Sequence, residues 1–330
     1  MKAVIPVAGE GTRLRPHTHT TPKVLIHVAG KPILGHILES LTAVGVDEIV
    51  LIVGERGDQI AHYVSSHFDV KIHVVQQVKR LGLGHAIYLA RDSLQGGPAL
   101  IALGDTVFKC SFEGVFESPC CSIGVKEVED PRRFGVVELK DDLITGFVEK
   151  PDRPTSKLAM VGLYFIEDTS LLANALEKLI LEQDLRTKGE YQLTDALQIM
   201  LKDGVKMTTF PVEGWYDCGK PETLLETNRV LLGIKSRTVE SQGSIIREPV
   251  YIADGVKLVD SIIGPHVSIA EGSVIERSII EDSIVNKSSV VRTAMLRGSL
   301  LGDNSLVEGA FQSLNVGDSA QIRFGGEIPE

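Results

Sequence analysis

Up to about residue 110, short runs rich in β-branched apolar residues alternate with stretches that have helical periodicity. The runs are Lys2–Val7, Glu48–Val53, Lys71–Val75 and Pro98–Leu103, and the helical stretches include Ile33–Val44 and His85–Leu94. This alternation is typical of an α/β layer with a mainly parallel sheet.

The pattern then changes to closely spaced β-runs over 120–166, followed by helical stretches at Ser170–Glu182 and Tyr191–Lys202. We expect these extra strands and helices to lie over the sheet and form the lid of a site. A helix that starts at a proline, Pro221–Gly233, closes this part of the chain, and the polar stretch Lys235–Gly243 is typical of a linker.

After about residue 250, aliphatic residues recur every five or six positions between short polar or glycine-containing turns such as GPH, AEG, EDS and GDN. The recurring residues are Ile263, Ile269, Ile275, Ile280, Val285, Val291, Leu296, Leu301 and Val307. The repeat predicts a short left-handed parallel β-helix, in which each short strand buries one aliphatic residue. A β-sandwich is the alternative, but sandwich strands usually recur every ~8–12 residues.

A chain of 330 residues is long enough for two domains. The changes in pattern predict a first domain over 1–235, a linker over 236–248, a β-helical domain over 249–322 and a tail over 323–330.

The acidic balance of the chain limits its partners. A formal net charge of −10 argues against nucleic acid and anionic membranes as partners, because both require a basic surface. The four cysteines form no CxxC pair and have no zinc-ligand spacing, which favours a reducing compartment. The first apolar run is only a strand long and no later run could cross a bilayer, so we expect a cytoplasmic protein.

A glycine-containing loop, Gly9-Glu10-Gly11-Thr12-Arg13, follows the first apolar run directly. Glycines allow backbone N–H groups to converge on an anion, and Arg13 offers a planar fork for phosphate oxygens. A dinucleotide fingerprint would need a third glycine where Leu14 stands, and the chain contains no GxxxxGK[ST] motif. The five residues alone are equally typical of a plain turn.

The loop continues as GEGTRLRPHTHTTPKVLIHVAGKPIL, which adds Arg15 and Lys23 to its positive charge. This stretch resembles the signature GxGTRxxPxTxxxPKxLxxxxxKPxL of the nucleoside-diphosphate-sugar pyrophosphorylases, or sugar nucleotidyltransferases. The resemblance extends to about residue 233 and is greatest to the thymidylyltransferases that carry a hexapeptide-repeat domain. The short VAGEGTR form is closer to the uridylyltransferases, which leaves the base open.

The resemblance implies a Rossmann-like mixed-sheet nucleotidyltransferase domain before the β-helix. It also implies Mg²⁺ as the cofactor, and a nucleoside triphosphate and a sugar 1-phosphate as substrates. On the nucleotide side, the matched residues are Ala8, Gly9, Gly11, Thr12, Arg13, Lys23, Gln77 and Gly82. Gln77 would read the pyrimidine edge, and Gln76 is the alternative.

Two aspartates match the metal ligands of the family. Asp105 follows an apolar run, and Asp217 lies in WYDCG. Two neighbours depart from the pattern, since Thr106 stands where asparagine is common and Cys218 where threonine is common. Both departures concern sugar contacts and local geometry rather than the carboxylates.

The segment from RRFGVVELK to GLYFI resembles the sugar-binding region of the family. The resemblance implies that Gly135 and Glu149 contact sugar hydroxyls, that Lys150 binds the sugar phosphate, and that Val161 and Gly162 line the opposite side. The stretch GEYQLTDAL also resembles the GExxxTD segment of the family, but its Asp195 could equally be a structural residue at the start of a helix. Trp215, the only tryptophan, could line the pocket or pack in the core.

These groups suit a direct in-line displacement in which the sugar phosphate attacks the α-phosphorus and pyrophosphate leaves. Arg13, Lys23 and Lys150, together with Mg²⁺ held by Asp105 and Asp217, would offset the repulsion between the two anionic substrates. No covalent enzyme intermediate is needed, and the histidines do not pair with a nucleophile.

Several alternatives remain open at this level. dTTP with glucose 1-phosphate is the favoured pair, and UTP is the alternative. A regulatory or assembly subunit could keep this fold without activity. A bifunctional enzyme that acetylates an amino sugar would need a base, for which His266 is the only histidine after residue 85. We expect a homo-oligomer.

Overall fold

The alternating first part of the chain forms the parallel centre of a mixed sheet. The computed structural model describes residues 1–239, 241 and 243–309, and the chain divides into two units, Met1–Ser236 and a second that begins at Arg237. No helix of the described residues is long and apolar enough to cross a membrane.

The strands and helices of the first unit follow one another along the chain. The strands are β1 Lys2–Val7, β2 His27–Val28, β3 Lys31–Pro32, β4 Glu48–Val53, β5 Lys71–Gln76, β6 Ala99–Ala102, β7 Thr106–Lys109, β8 Cys121–Glu127, β9 Gly135–Lys140, β10 Leu143–Glu149, β11 Leu158–Ile166, β12 Met207–Pro211 and β13 Gly214–Asp217. The helices are α1 Ile33–Thr42, α2 Gly57–His67, α3 Leu83–Leu89, α4 Thr169–Glu177, α5 Leu193–Lys202 and α6 Pro221–Ile234.

The main sheet has the order β10-β9-β11-β6-β1-β4-β5, with β8 beside β11 and β12 beside β8. β6, β1, β4 and β5 are parallel, and β11 joins antiparallel to β6. The side chains of β1, β4 and β6 are mostly buried, which explains their continuous apolar character. The carboxyl ends of the four parallel strands meet at one edge, where open α/β sheets bind ligands.

A small two-stranded sheet lies beside this edge. β7 follows β6 directly and pairs antiparallel with β13, so that Thr106 stands opposite Asp217. This pairing joins residues that are far apart in the sequence and places the two proposed metal ligands on neighbouring backbone segments.

The predicted helices are present, with differences at their ends that have local causes. α3 begins at Leu83 and ends at Leu89, and a 3₁₀ turn at Arg91–Ser93 covers most of the remaining predicted helix. α5 begins at Leu193 rather than Tyr191, because the backbone of Tyr191 is hydrogen-bonded to Leu81 and Gly84. α4 ends at Glu177 and continues as one π-helical turn.

The repeat region folds into a left-handed parallel β-helix with three four-stranded sheets in the described residues. The strands are β14 Ile245–Ile246, β15 Val250–Ile252, β16 Lys257–Val259, β17 Ile262–Ile263, β18 Val267–Ile269, β19 Val274–Glu276, β20 Ile279–Glu281, β21 Ile284–Val285, β22 Val290–Arg292, β23 Met295–Arg297, β24 Leu300–Leu301 and β25 Leu306–Glu308. Each sheet takes every third strand. All nine aliphatic residues of the repeat lie in the core of this unit or pack against it. The predicted tail at 323–330 lies outside the described residues.

Buried serines link successive coils of the β-helix at its corners. Ser278 Oγ donates to the carbonyl of Glu276 and accepts from the backbone N–H of Ala294 at 3.1 Å. Ser273 Oγ accepts in the same way from the backbone N–H of Ser289 at 3.3 Å. These hydrogen bonds satisfy polar groups that the corner turns bury, a role that the repeat pattern did not indicate.

Candidate functional site

The loop after β1 turns sharply at Gly11. This residue has φ +66°, and the N–H of Leu14 donates to its carbonyl at 2.9 Å, which begins the 3₁₀ turn Thr12–Leu14. A Cβ on Gly11 would lie 2.9 Å from Lys23 Cβ. Glycine is therefore required here both by the left-handed backbone and by the close approach of Lys23.

Lys23 and Asp105 form an ion pair at the carboxyl edge of the sheet. Lys23 Nζ donates to Asp105 Oδ2 at 2.7 Å, and the lysine side chain is 8% exposed while that of Asp105 is 42% exposed. A buried ammonium needs an anionic partner, because its desolvation is costly. The geometry therefore leaves the aspartate as the member of the pair that faces solvent.

Asp217 and Arg13 meet around Gly219. A Cβ on Gly219 would lie 2.7 Å from both Arg13 Nη2 and Asp217 Oδ1, and the N–H of Cys218 donates to the carbonyl of Asp105 at 3.1 Å. The backbone thus brings Asp217 beside Asp105 and places the Arg13 guanidinium against the same turn. Gly219 was not among the predicted site residues, although it closes the WYDCG motif.

Cys218 lies between these charged groups but is fully buried. Burial raises the pKa of its thiol to about 12, with smaller effects from Thr227, Lys23 and the two aspartates. The thiol is therefore neutral at physiological pH and unsuited to nucleophilic chemistry.

A cleft of about 400 Å³ opens at this point, and we call it the phosphate cleft. Its lining consists of Pro6, Val7, Gly9, Gly11, Thr12, Arg13, Lys23, Val24, Leu83, Leu103, Gly104, Asp105 and Gly219. Its charged lining residues are the cations Arg13 and Lys23 and the carboxylate Asp105, and its volume is that of a ligand-binding site. The cleft is therefore locally basic although the protein as a whole is acidic, as binding of a phosphorylated ligand requires.

The two candidate glutamines at the end of β5 have different surroundings. Gln76 is exposed, and its amide donates to the carbonyl of Gly54 at 2.9 Å. Gln77 is 7% exposed and its backbone N–H donates to Val53 at 2.8 Å. The Gln76 amide therefore already has a structural partner, whereas Gln77 is largely buried.

Gly82 lies where the segment before α3 meets Tyr191. It has φ +112°, and a Cβ would lie 2.5 Å from the Tyr191 carbonyl oxygen, which accepts from the N–H of Gly84 at 2.8 Å. Tyr191 also donates its backbone N–H to Leu81 at 2.8 Å. The backbone of Tyr191, in the GEYQLTD stretch, thus holds the start of α3.

The predicted sugar-contacting residues form a second cluster. Gly135 stands opposite Glu149 in the β9–β10 pair, and Thr194 Oγ1 donates to Glu149 Oε2 at 2.6 Å. Lys150 has φ +44°, and its Nζ lies 3.3 Å from Glu149 Oε1. Lys188 Nζ donates to the Lys150 carbonyl at 2.8 Å, a contact that the sequence analysis missed.

Val161 and Gly162 lie behind the wall of the phosphate cleft. The N–H of Leu103, which lines the cleft, donates to the Gly162 carbonyl at 2.9 Å, and a Cβ on Gly162 would lie 2.4 Å from Leu103 Cδ1. Val161 is buried. The structure thus gives this pair a packing role at the irregular part of β11.

A second cavity, of about 320 Å³, lies on β13, and we call it the aromatic cleft. It is lined by Arg133, Phe134, Trp215, Tyr216, Asp217, Lys220, Thr223, Glu226 and Thr227. The rings of Phe134 and Trp215 meet edge to face with centroids 4.6 Å apart. Trp215 therefore both packs and lines a cavity.

The structure gathers only part of the predicted set around one cavity. Gly9, Gly11, Thr12, Arg13, Lys23 and Asp105 line the phosphate cleft, and Trp215 and Asp217 line the aromatic cleft. Ala8 lines a third cavity on the other side of the loop. Thr106 Oγ1 lies 3.4 Å from Asp105 Oδ1. Gln77, Gly82, Gly135, Glu149, Lys150, Val161 and Gly162 are not among the lining residues of these cavities.

Asp195 occupies the first turn of α5, and its carboxylate is partly buried. Burial raises its pKa, a hydrogen bond from Thr187 opposes the shift, and the charge of Glu149 adds to it. Its position agrees with the alternative that it serves the start of a helix.

The donor set fits a magnesium ion that also binds substrate phosphates. In the part of the chain that the structure describes, no three His, Cys, Asp or Glu side chains cluster so as to hold a metal ion alone. Mg²⁺ is usually bound through one or two carboxylates plus substrate phosphates. Asp105, immediately before β7, and Asp217, at the end of β13, supply such a pair on adjacent backbone segments.

Comparison with known proteins identifies the class of this fold and site. The family model described as nucleotidyl transferase matches residues 2–233, and the chain belongs to this family. It is a nucleotidyltransferase of the sugar-nucleotide type.

Relatives and solved structures agree with this assignment. The chain is 38% identical over 249 residues to the low-salt glycan biosynthesis nucleotidyltransferase Agl11 of Haloferax volcanii, covering 72% of this chain and 67% of the relative. It is 32% identical over 304 residues to a glucose-1-phosphate thymidylyltransferase of Streptomyces griseus, covering 83% and 84%. A crystal structure from Bacillus anthracis, assigned as a glucose-1-phosphate thymidylyltransferase, matches with a TM-score of 0.61 and 26% identity, covering 73% of this chain and 98% of that one.

Proposed function

We propose that this protein joins a nucleoside triphosphate to a sugar 1-phosphate and releases pyrophosphate, with dTTP and glucose 1-phosphate as the leading pair. The observation that carries the proposal is the phosphate cleft, where a buried Lys23 pairs with Asp105 and Arg13 lies beside Gly219 and Asp217. The named function of the Streptomyces relative, which aligns over most of both chains, supports this choice of substrates.

In the proposed reaction, an oxygen of the sugar phosphate attacks the α-phosphorus of the triphosphate. The bond between that phosphorus and the bridging oxygen breaks, and pyrophosphate carries the electron pair away. The barrier comes mainly from bringing two polyanions together, since their repulsion in a partly dry site amounts to several kcal/mol.

Nine of the assigned residues have a role in this step. Arg13 and Lys23 hold the triphosphate and the departing pyrophosphate, and Lys150 holds the attacking phosphate. Glu149 and Gly135 bind sugar hydroxyls, while Gln77 and Gly82 bind the base. Asp105 and Asp217 would hold Mg²⁺, which neutralises phosphate charge when bound. Positioning and charge stabilisation then supply most of the acceleration.

UTP is the second candidate for the nucleotide, because a pocket that separates it from dTTP must sense a single methyl group. Such a group is usually worth only ~1–3 kcal/mol, so we expect both triphosphates to react, with dTTP ahead.

The deciding experiment is a matrix of dTTP, UTP, GTP, CTP and ATP against the 1-phosphates of glucose, galactose, mannose and N-acetylglucosamine, scored by pyrophosphate release with Mg²⁺. The highest kcat/KM is expected for dTTP with glucose 1-phosphate. A clear preference for GTP or ATP would overturn the assignment of the base.

A further inference from the structure

The segment between β5 and α3 is fixed at both ends but lies open in its middle. At one end, the N–H of Gln77 donates to Val53 at 2.8 Å; at the other, Leu81 accepts from the N–H of Tyr191 at 2.8 Å. Between them, Val78 is 82% exposed, and Lys79 and Arg80 are also exposed. Apolar burial therefore does little to hold this stretch, which we call the 77–82 loop.

Arg80 connects the 77–82 loop to the glycine loop after β1. Its Nε donates to the carbonyl of Ala8 at 3.0 Å, and its Nη1 donates to the carboxylate of Glu10. Arg15 lies on the other side of Glu10, with Nη2 3.3 Å from Oε2. The guanidinium thus bonds a backbone atom and a side chain at once, and its rigid fork fixes the angle between the two bonds, which a flexible lysine ammonium does not.

The end of β4 leaves Ala8 little freedom. A Cβ on Gly54 would lie 3.1 Å from the Ala8 carbonyl oxygen, so the two strand ends approach closely. The carbonyl that Arg80 contacts is therefore packed from a second direction. A bond at this atom sets the orientation of the peptide that leads into Gly9 and the phosphate cleft.

We propose that Arg80 is a positioning residue that holds the base-binding and phosphate-binding loops in register before the nucleotide arrives. The inference rests on the proposed function, because it takes Gln77 and Gly82 as base contacts and Gly9 to Arg13 as phosphate contacts. A nucleoside triphosphate must span both loops, whereas the sugar phosphate meets the separate cluster around Glu149 and Lys150. Arg80 therefore acts on nucleotide affinity.

The ion pair itself contributes little to folding. Arg80 is 40% exposed and Glu10 is 45% exposed, and pairs at such exposure have a small net effect on stability. Loss of Arg80 should consequently leave the melting temperature unchanged and change only the preorganisation of the site.

The test compares Arg80→Ala with Lys79→Ala, which removes the same charge from the neighbouring position of the loop. We expect Arg80→Ala to raise the KM for dTTP about tenfold or more, as for the loss of a charge-assisted hydrogen bond. Its kcat at saturating dTTP and its KM for glucose 1-phosphate should stay at the wild-type values. Lys79→Ala should leave all three constants unchanged, and Arg80→Lys should recover only part of the loss.

Titration calorimetry of dTTP binding to the same variants separates this inference from the proposed reaction. A wild-type protein that binds dTTP but releases no pyrophosphate contradicts the reaction, while weaker binding by Arg80→Ala alone still supports the role of Arg80. Equal losses in Lys79→Ala and Arg80→Ala would show an effect of net charge and overturn the inference. Unchanged dTTP affinity in Arg80→Ala, or no dTTP binding by the wild type, would overturn it as well.

Discussion

The two aspartates assigned to the metal carry the same charge but have different neighbours. Asp105 is the anionic partner of a buried lysine, whereas Asp217 lies on β13 beside Gly219. Removing the Asp105 charge leaves the Lys23 ammonium without a charged partner, which is costly in a buried position. Among the ion pairs of the described residues, none joins Asp217 to a buried cation. Substitution should therefore change the stability of the protein at Asp105 but not at Asp217.

We expect Asp217→Asn to keep the wild-type melting temperature and to lose Mg²⁺-dependent turnover by ~10²-fold or more. Asp105→Asn should lose turnover similarly and also melt at a lower temperature. Pyrophosphate release at limiting Mg²⁺ and differential scanning fluorimetry measure the two effects. Glu213→Gln is the control, because that exposed carboxylate pairs with Lys109 outside both clefts. Near-wild-type turnover of Asp217→Asn would exclude the metal role of Asp217.

Gly219 provides a second test on the scale of one residue. A methyl group there would lie 2.7 Å from the ends of the Arg13 and Asp217 side chains and displace both. Because those ends are mobile, Gly219→Ala should fold normally yet lose turnover by at least about tenfold. Gly233→Ala is the matched control, since nothing lies within 4 Å of its added Cβ in α6. Equal activity of the two variants would argue against a shared site of Arg13 and Asp217.

At the scale of elements, the β-helix presents alternate residues to its core and its surface. On β20, Ile280 is fully buried and stacks between Ile263 and Leu296, whereas the adjacent Ile279 is only partly buried. Two adjacent isoleucines thus point in opposite directions. Substituting each in turn compares the contribution of a core position with that of a surface position.

Ile280→Ala should destabilise the second unit by about 2–5 kcal/mol, because it leaves a cavity, and Ile279→Ala should have a much smaller effect. Urea unfolding followed by far-UV circular dichroism measures both. Trp215, the only tryptophan, lies in the first unit, so its fluorescence follows the unfolding of that unit separately. Comparable losses in the two variants would contradict the inward and outward assignment.

At the scale of the whole molecule, every residue assigned to the reaction lies within Met1–Ser236. A short β-helix has open ends whose backbone and apolar residues gain by packing against another subunit. We therefore propose that the second unit serves assembly and stability, and that the protein is a homo-oligomer.

Truncation after Lys235 should change the oligomeric state and lower the melting temperature, while the KM values and the Mg²⁺ dependence stay close to those of the intact chain. Light scattering coupled to size exclusion, thermal melting and steady-state kinetics measure these effects on soluble protein. A soluble, folded truncation that binds neither substrate would show that the second unit is needed for the site.

Periodicity and spacing along the chain were sufficient for the α/β first part, the β-helix and its inward residues, since each follows from local preference and alternation. The extended GxGTR stretch and the WYDCG segment pointed to a nucleotidyltransferase through their resemblance to the motifs of that family. Long-range pairing was outside the reach of such patterns: β7 with β13, Lys23 with Asp105, and Arg80 with Ala8 and Glu10 join distant segments. These contacts form only when the tertiary structure brings the ends of distant strands together. Burial of Lys23 in that structure is also the reason why its ammonium requires Asp105 as a charged partner.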